Sequence, residues 1–253
     1  MKIIGEAFSL VRKCWRIVIV FVFAMFFQEW LRYVLGLTQV TVYTATVWVH
    51  FCIWAIVTTI LSVYLEMGCL SYLIENYEGR VANKSVFIKG ANNMFFKGLI
   101  GTTIMVSPLL LFAIIGILFA VAIPAVSNLP RSLKLLCLVP IVGIFAIILV
   151  GWFWLLLKVS LWKIAMFCER IAPVSAMKRS YNMTRGTVLR IIMFMYLPYG
   201  IAAMISKMKA FLGVFGEVLQ WCFVPVFVPA AALLIYHSIQ AKTLSQGDPS
   251  PII

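Results

Sequence analysis

Six long runs of apolar residues restrict the fold of this chain more than any other feature. They cover approximately residues 17–35, 40–65, 99–125, 135–157, 188–205 and 211–236. About 20 apolar residues in a helix cross a hydrocarbon layer of about 30 Å. Because lipid offers the backbone no hydrogen bonds, each run must be a helix or a strand of a closed barrel. Barrel strands alternate apolar with polar residues, whereas these runs are continuously apolar, so we predict an all-α polytopic membrane protein with six transmembrane helices.

The composition agrees with this class of protein. Of 253 residues, 64% are hydrophobic and 11% are charged, whereas about a quarter of the residues in a soluble domain are charged. The net charge of +13 would suggest nucleic-acid binding in a soluble protein, but Lys and Arg also accumulate in the cytoplasmic loops of membrane proteins. We therefore expect no nucleic-acid partner. We expect residues 1–239 to form a single membrane domain and residues 240–253 to form a disordered tail.

The distribution of basic residues predicts an orientation. If the N-terminus lies in the cytosol, 16 of the 21 Lys and Arg residues fall in cytosolic regions. The other five, on the opposite side, are Arg32, Arg131, Lys134, Lys207 and Lys209. This bias follows the positive-inside rule. It predicts a bacterial cytoplasmic (inner) membrane protein with both termini in the cytosol.

A basic amphipathic segment precedes each pair of spans. The three segments are residues 1–14, 86–97 and 171–186. We predict that they are interfacial helices on the cytosolic side, the second with Ser85 as its N-cap. Aligning Ala7 with Ala91 and Ser180 brings the segments into register, which suggests a threefold internal repeat. The alternative is that any helix approaching a membrane from the cytosol needs small, apolar and basic positions.

The third of these segments, IAPVSAMKRSYNMTRG, is the most informative stretch of the chain. Pro173 suits the first turn of a helix, where its missing N–H is not needed. At helical spacing, one apolar stripe contains Val174, Met177, Tyr181, Thr184 and Val188. The polar flank beside that stripe contains Lys178, Arg179, Asn182 and Arg185. We therefore predict an amphipathic helix with one polar flank and one apolar flank.

The same segment resembles a known family. The pattern is an acidic residue, a Pro, then Ala-x-x-Arg-Ser, then Thr/Lys-x-Gly before a span. The matching positions are Glu169, Pro173, Ala176, Arg179, Ser180, Thr184 and Gly186. This is similar to the YciC-type uncharacterised bacterial inner-membrane proteins and to the membrane domain attached to some glycerophosphodiester phosphodiesterases. The resemblance implies a six-span bacterial membrane protein of unsettled function, and the catalytic domain of those fusions is absent.

Few residues here could support catalysis. The chain has one aspartate, Asp248, and seven glutamates, of which only the exposed Glu75 and Glu78 lie close together in one loop. Metal-dependent hydrolysis and phosphoryl transfer need acidic metal ligands. No G-x-S-x-G sequence or Gly-rich phosphate loop occurs, and the six cysteines form no C-x-x-C pair. We therefore predict a protein that is not an enzyme and uses no metal or other cofactor.

Ionisable residues inside spans are candidate functional residues, because burying them is unfavourable. Glu29 and Arg32 are three residues apart and can form an ion pair. Glu66 lies near the inner end of the second span, where it can also be a helix-exit residue. Glu217, in the sixth span, could reach the surface or line a polar cavity. Trp and Lys favour the membrane interface, and a collar of this kind is expected at Lys158, Trp162 and Lys163.

These observations leave three functional hypotheses. In the first, Lys178, Arg179, Arg185 and Arg190 contact anionic lipid headgroups, each contributing about 1 kcal/mol. The alternative is that those charges only fix the topology of an interfacial connector and bind no particular lipid. The second hypothesis is a transporter or channel for a small solute, which a polar cavity would favour and a dry apolar centre would exclude. The third is an accessory subunit of a larger complex, which the sequence does not separate from the first.

Overall fold

A computed structural model describes residues 2–37, 45–127, 131–207, 220 and 223–245. The described part of the chain is helical apart from short turns and contains no strand. Its helices are α1 (Lys2–Lys13), α2 (Trp15–Val34), α3 (Ala45–Tyr77), α4 (Lys84–Ser127), α5 (Arg131–Val159), α6 (Trp162–Glu169), α7 (Pro173–Met183), α8 (Val188–Ile191), α9 (Leu197–Ser206) and α10 (Val224–Ser245). A π-helical turn, Ile192–Tyr196, joins α8 to α9.

Five described segments are long and apolar enough to cross a membrane. They are Trp15–Val34, Thr46–Tyr77, Ala146–Glu169, Val188–Ile205 and Val224–Lys242. Many large apolar side chains on these segments face outward, including Phe23 and Ile147. Such surfaces are unfavourable in water and are covered by lipid in a membrane protein. The described residues therefore confirm the predicted class, an all-helical protein with several apolar helices long enough to span a membrane.

The third predicted run belongs to an unexpectedly long helix. The 44 residues of α4 extend over about 66 Å, so the predicted helix 86–97 and the run that follows it are one element. Pro108 does not break α4. Its missing N–H leaves the Ile104 carbonyl without a helical donor, but the Ser107 hydroxyl donates to that carbonyl at 2.8 Å.

Two predicted helix boundaries are wrong. The N-cap of α4 is Asn83 rather than Ser85, since its side-chain oxygen accepts from the backbone N–H groups of Ser85 (3.0 Å) and Val86 (3.2 Å). Asn is a strong N-cap residue because its side chain replaces a missing helical acceptor. At the other end of the chain, residues 240–245, which were predicted to belong to a tail, form the last turns of α10. Residues 246–253 lie outside the described residues.

Helices α3 and α4 pack closely through small residues. Gly90 lies against Ser71, and Gly68 lies beneath the Phe87 ring. Between the two helices, the Tyr64 hydroxyl donates to the Asn92 side-chain oxygen at 3.0 Å. Small residues allow this close approach in membrane bundles, where packing rather than the hydrophobic effect holds helices together.

The most buried helix of the described structure is α10. Its residues Val226, Ala230, Leu233 and Tyr236 are fully buried. Around it lie α1, the π-turn, α3, α6 and α9. The α1–α2 joint is also buried at Cys14, where burial raises the pKa of the thiol to about 11 and neighbouring Lys13 partly offsets this effect. The core therefore surrounds the last helix, and the basic segments pack on its periphery.

The α3–α4 contact gives a first prediction. A methyl group added at Gly90 would overlap the Ser71 Cβ atom, so Gly90→Ala is expected to lower stability by about 1–3 kcal/mol through overpacking. Gly5→Ala is the matched control, because no described atom lies within 4 Å of its added methyl and the substitution improves helix propensity by up to about 1 kcal/mol. Thermal unfolding in detergent should give opposite shifts for the two variants. Equal midpoints would contradict this packing.

Candidate functional site

The strongest local constraint in the described structure is a break in the helix between α5 and α6. Residues Ser160 and Leu161 form a turn, which leaves backbone groups on either side without helical partners. Helix α7 supplies the missing partners. The Ser180 hydroxyl accepts from the Leu161 N–H at 3.1 Å and donates to the Lys158 carbonyl at 3.2 Å. The Thr184 hydroxyl donates to the same carbonyl at 2.8 Å.

An ionic contact fixes the far end of α6. The Arg179 Nε group donates to Glu169 Oε1 at 3.0 Å, and the two side chains are 25% and 13% exposed. The Tyr236 hydroxyl donates to the same carboxylate oxygen at 2.5 Å. Hydrogen bonds to a charged acceptor are among the stronger ones in proteins. Glu169 therefore connects α6 to both α7 and α10.

The remaining positions of the family-like pattern also have structural roles. Pro173 is the first residue of α7, and Ala176 is fully buried. Gly186 has φ +77°, a conformation that favours glycine because other residues are strained there. The residues that carry the resemblance (Glu169, Pro173, Ala176, Arg179, Ser180, Thr184 and Gly186) thus form one structural unit, which we call the motif junction. This unit holds helices together.

The predicted apolar stripe of α7 is only partly correct: Thr184 is fully buried, and Met177 and Val188 pack against the core. The helix buries Pro173, Ala176 and Ser180, whereas Val174 is 64% exposed and Tyr181 is 39% exposed. Hydrophobicity alone pointed to the larger side chains. The close approach of α7 to the helix break instead requires small residues, and a hydroxyl is buried at no penalty when it is hydrogen-bonded.

The four candidate lipid-binding cations divide into two groups. Lys178, Arg185 and Arg190 are exposed, and none has an ion-pair partner among the described residues. Arg179 is instead bound to Glu169 within the motif junction. Three of the four predicted cations are therefore available to an external anion.

The predicted intramembrane polar residues have different outcomes. Arg32 and Glu29 form the expected pair, with Nη1 and Oε2 3.9 Å apart and both side chains exposed. Glu217 lies outside the described residues.

Glu66 is not a simple helix-exit residue, because its Oε2 atom forms a short ion pair with Lys163 Nζ. The collar prediction is wrong for Trp162, because that side chain is buried, and it stays a prediction for Lys163.

The Glu66–Lys163 pair faces a cavity of about 460 Å³. Its polar lining comes from Gln28, Ser62, Glu66, Ser160, Lys163, Tyr199 and Gln220. The apolar lining includes Phe21, Leu65, Leu70, Ile164 and Val228, and Pro225 and Pro229 of α10 complete the wall. Because the pair joins residues 97 positions apart, local sequence patterns gave no signal of it. The one available signal was the presence of an acidic and a basic residue at the ends of two different spans.

A second, smaller cavity of about 250 Å³ shares part of this lining. Both cavities are lined by Glu66, Ser160, Lys163 and Tyr199. The smaller one is also lined by Thr102, whose buried hydroxyl has no hydrogen-bond partner within the described residues. The ion pair therefore contributes to the walls of both cavities.

No family model, curated protein or solved structure matches this chain. The resemblance to the YciC-type proteins therefore stays a prediction. The site must be interpreted from its own geometry.

The motif junction gives a second prediction. Combining Ser180→Ala with Thr184→Val leaves the Lys158 carbonyl and the Leu161 N–H unpaired, and each unsatisfied buried group costs about 1–3 kcal/mol. We expect a large drop in the thermal midpoint of the detergent-solubilised protein. Ser175→Ala is the matched control, because Ser175 lies on the same helix but is exposed. If the double variant unfolds at the same temperature as the control, the hydroxyls do not hold the break.

Proposed function

We propose that this chain is a six-span protein of the bacterial cytoplasmic membrane, with both termini in the cytosol. Helix α1, the first turns of α4 and helix α7 form a basic cytosolic layer that contacts anionic lipid. The protein is non-enzymatic and has a membrane-organising or accessory role. The observation that carries this proposal is the exposure of Lys178, Arg185 and Arg190 beside helices that are long enough to span a membrane.

The energetics favour lipid contact for this part of the chain. The motif junction fixes α7, which carries Lys178, and the turn after it, which carries Arg185. These exposed cations are therefore presented without a large loss of backbone entropy on binding. A basic residue near an anionic membrane surface gains about 1 kcal/mol. The exposed Val174 and Tyr181 on the same helix add apolar and aromatic contacts of the kind found in interfacial helices.

The contacts of the three basic segments support the proposed threefold repeat. Each segment packs on the last helix of the pair of spans before it: α4 packs on α3, and α7 packs on α5 and α6. Helix α1 packs on α10, the last helix of the third pair, so the arrangement is cyclic. The aligned residues Ala7, Ala91 and Ser180 are all fully buried. The residues that follow Ala7 and Ala91 also make equivalent contacts: Phe8 contacts Phe227 (5.2 Å between ring centroids), and Asn92 contacts Tyr64. A cyclic arrangement would place all three segments on one side of the membrane.

The lipid proposal predicts the effect of removing the three exposed charges together. The variant Lys178→Gln, Arg185→Gln, Arg190→Gln should bind phosphatidylglycerol more weakly by about 1 kcal/mol per lost cation. Competition between phosphatidylglycerol and phosphatidylcholine for the purified protein, followed by native mass spectrometry, measures this change. The control, Lys178→Arg, Arg185→Lys, Arg190→Lys, keeps every charge and should retain the preference. An unchanged preference in the glutamine variant would contradict the proposal.

A second candidate function is a transporter or channel for a small solute. The cavity beside Glu66 and Lys163 favours it, because its lining includes charged, hydroxyl and amide side chains as well as apolar ones. Two proline residues of α10, Pro225 and Pro229, line the same cavity, and Pro229 removes a helical hydrogen bond there. Interrupted helices beside a polar cavity occur at the binding sites of many transporters.

A further inference from the structure

The Glu66–Lys163 pair has unused binding capacity. The contact to Lys163 uses only Oε2 of the carboxylate, while a carboxylate offers two acceptor oxygens and an ammonium group offers three donors. The side chains are 32% and 23% exposed, and both line the two cavities. The Lys163 ammonium also lies over the Trp162 ring, 5.6 Å from its centroid. Both charges therefore remain accessible from the cavities.

Stability alone is a weak explanation for this pair. Transferring two charges from water into a bundle within a membrane has a desolvation cost that their attraction often fails to exceed. Ionisable residues at such positions are rare and usually functional. The exposed Glu29–Arg32 pair on α2 shows the contrast, because its ions stay at the surface and such pairs contribute little to stability.

The lining of the cavity restricts the chemistry of a ligand. One carboxylate and one ammonium give the walls no net charge, so neither a simple cation nor a simple anion gains a net attraction. A molecule carrying both an ammonium and an anionic group can pair with Glu66 and Lys163 at once. The surrounding hydroxyl and amide groups, such as Ser62, Gln28 and Tyr199, can bind its remaining polar atoms.

The size and apolar walls of the cavity restrict the ligand further. A volume of about 460 Å³ lies within the range of small-molecule pockets. The side chains of Phe21, Leu65 and Val228 form apolar wall and would cover a hydrocarbon group. The cavity therefore suits a small molecule that carries an apolar group as well as polar ones.

We propose that this cavity binds a small zwitterion with an apolar chain, its ammonium group on Glu66 and its anionic group on Lys163. Two sources carry this chemistry: a free neutral amino acid, and the headgroup of phosphatidylethanolamine. The proposal concerns binding alone. It is therefore independent of lipid contact by α7, and it holds whether or not a solute crosses the membrane.

Binding to the full-length protein in micelles of an uncharged maltoside detergent, which contains no zwitterion, tests the proposal. The probes are radiolabelled L-leucine and a short-chain phosphatidylethanolamine. Leucine methyl ester, which lacks the anionic group, and 4-methylpentanoate, which lacks the ammonium group, are the single-charge comparisons. We expect at least one zwitterion to bind saturably, and the comparisons to bind at least about tenfold more weakly because each satisfies only one member of the pair. Binding of leucine identifies a free solute, whereas binding of phosphatidylethanolamine alone identifies a lipid site.

Variants test whether zwitterion binding depends on the Glu66–Lys163 pair. Glu66→Gln should weaken zwitterion binding at least about tenfold, because the ligand ammonium loses its charged acceptor. Glu29→Gln is the matched control, since it neutralises a glutamate of the surface pair outside the cavity and should leave binding unchanged. If Glu66→Gln unfolds, Ser62→Leu fills the cavity without altering either charge and should also abolish binding.

Three results would overturn the proposal. The first is that neither zwitterion binds the folded parent protein. The second is that a single-charge comparison binds as tightly as the corresponding zwitterion. The third is that the folded Glu66→Gln or Ser62→Leu variant retains the parent affinity.

Discussion

Hydrocarbon cannot hydrogen-bond to a backbone, so every interruption of a membrane helix needs partners from the protein. In the described structure this requirement is concentrated at the break between α5 and α6, where Ser180 and Thr184 of α7 satisfy the Lys158 carbonyl and the Leu161 N–H. The rest of the site depends on this arrangement. Lys163 lies two residues beyond Leu161 at the start of α6, so the break sets the position from which its ammonium reaches Glu66 on α3. The same contacts fix α7, the helix that carries the exposed Lys178.

The sequence predicted the class of fold because that class depends on composition and run length alone. Continuous apolar runs leave few structures other than helices in lipid, and the Glu29–Arg32 pair followed from helical spacing. The predictions failed where local geometry competes with hydrophobicity. Val174 and Tyr181 belong to the predicted apolar stripe of α7, but close packing buries the smaller Ala176 and Ser180 instead. Similarly, a proline usually breaks a helix, but the hydroxyl of Ser107 keeps α4 continuous at Pro108.

The candidate site was only partly predictable for a different reason. The family-like pattern identified Glu169, Arg179 and Ser180, yet their spacing carries no information on whether they bind a ligand or each other, and the structure shows that they bind other parts of the same chain. Glu66 was a candidate, but its partner Lys163 is 97 residues away. Only tertiary packing brings the two together. The charged candidate residues thus fall into four groups: the exposed Lys178, Arg185 and Arg190, the Glu169–Arg179 contact of the motif junction, the surface Glu29–Arg32 pair, and the Glu66–Lys163 pair that faces the cavity.

The central claim is that lipid surrounds the bundle and that the three basic segments lie together on its cytosolic side. Single cysteines placed at Ser9, Val81 and Lys178, all of them exposed, in a cysteine-free background test this claim directly. A membrane-impermeant maleimide should label all three sites in inverted membrane vesicles and none in intact spheroplasts. Labelling of any one site from the outside would place the basic segments on opposite sides of the membrane and contradict the account.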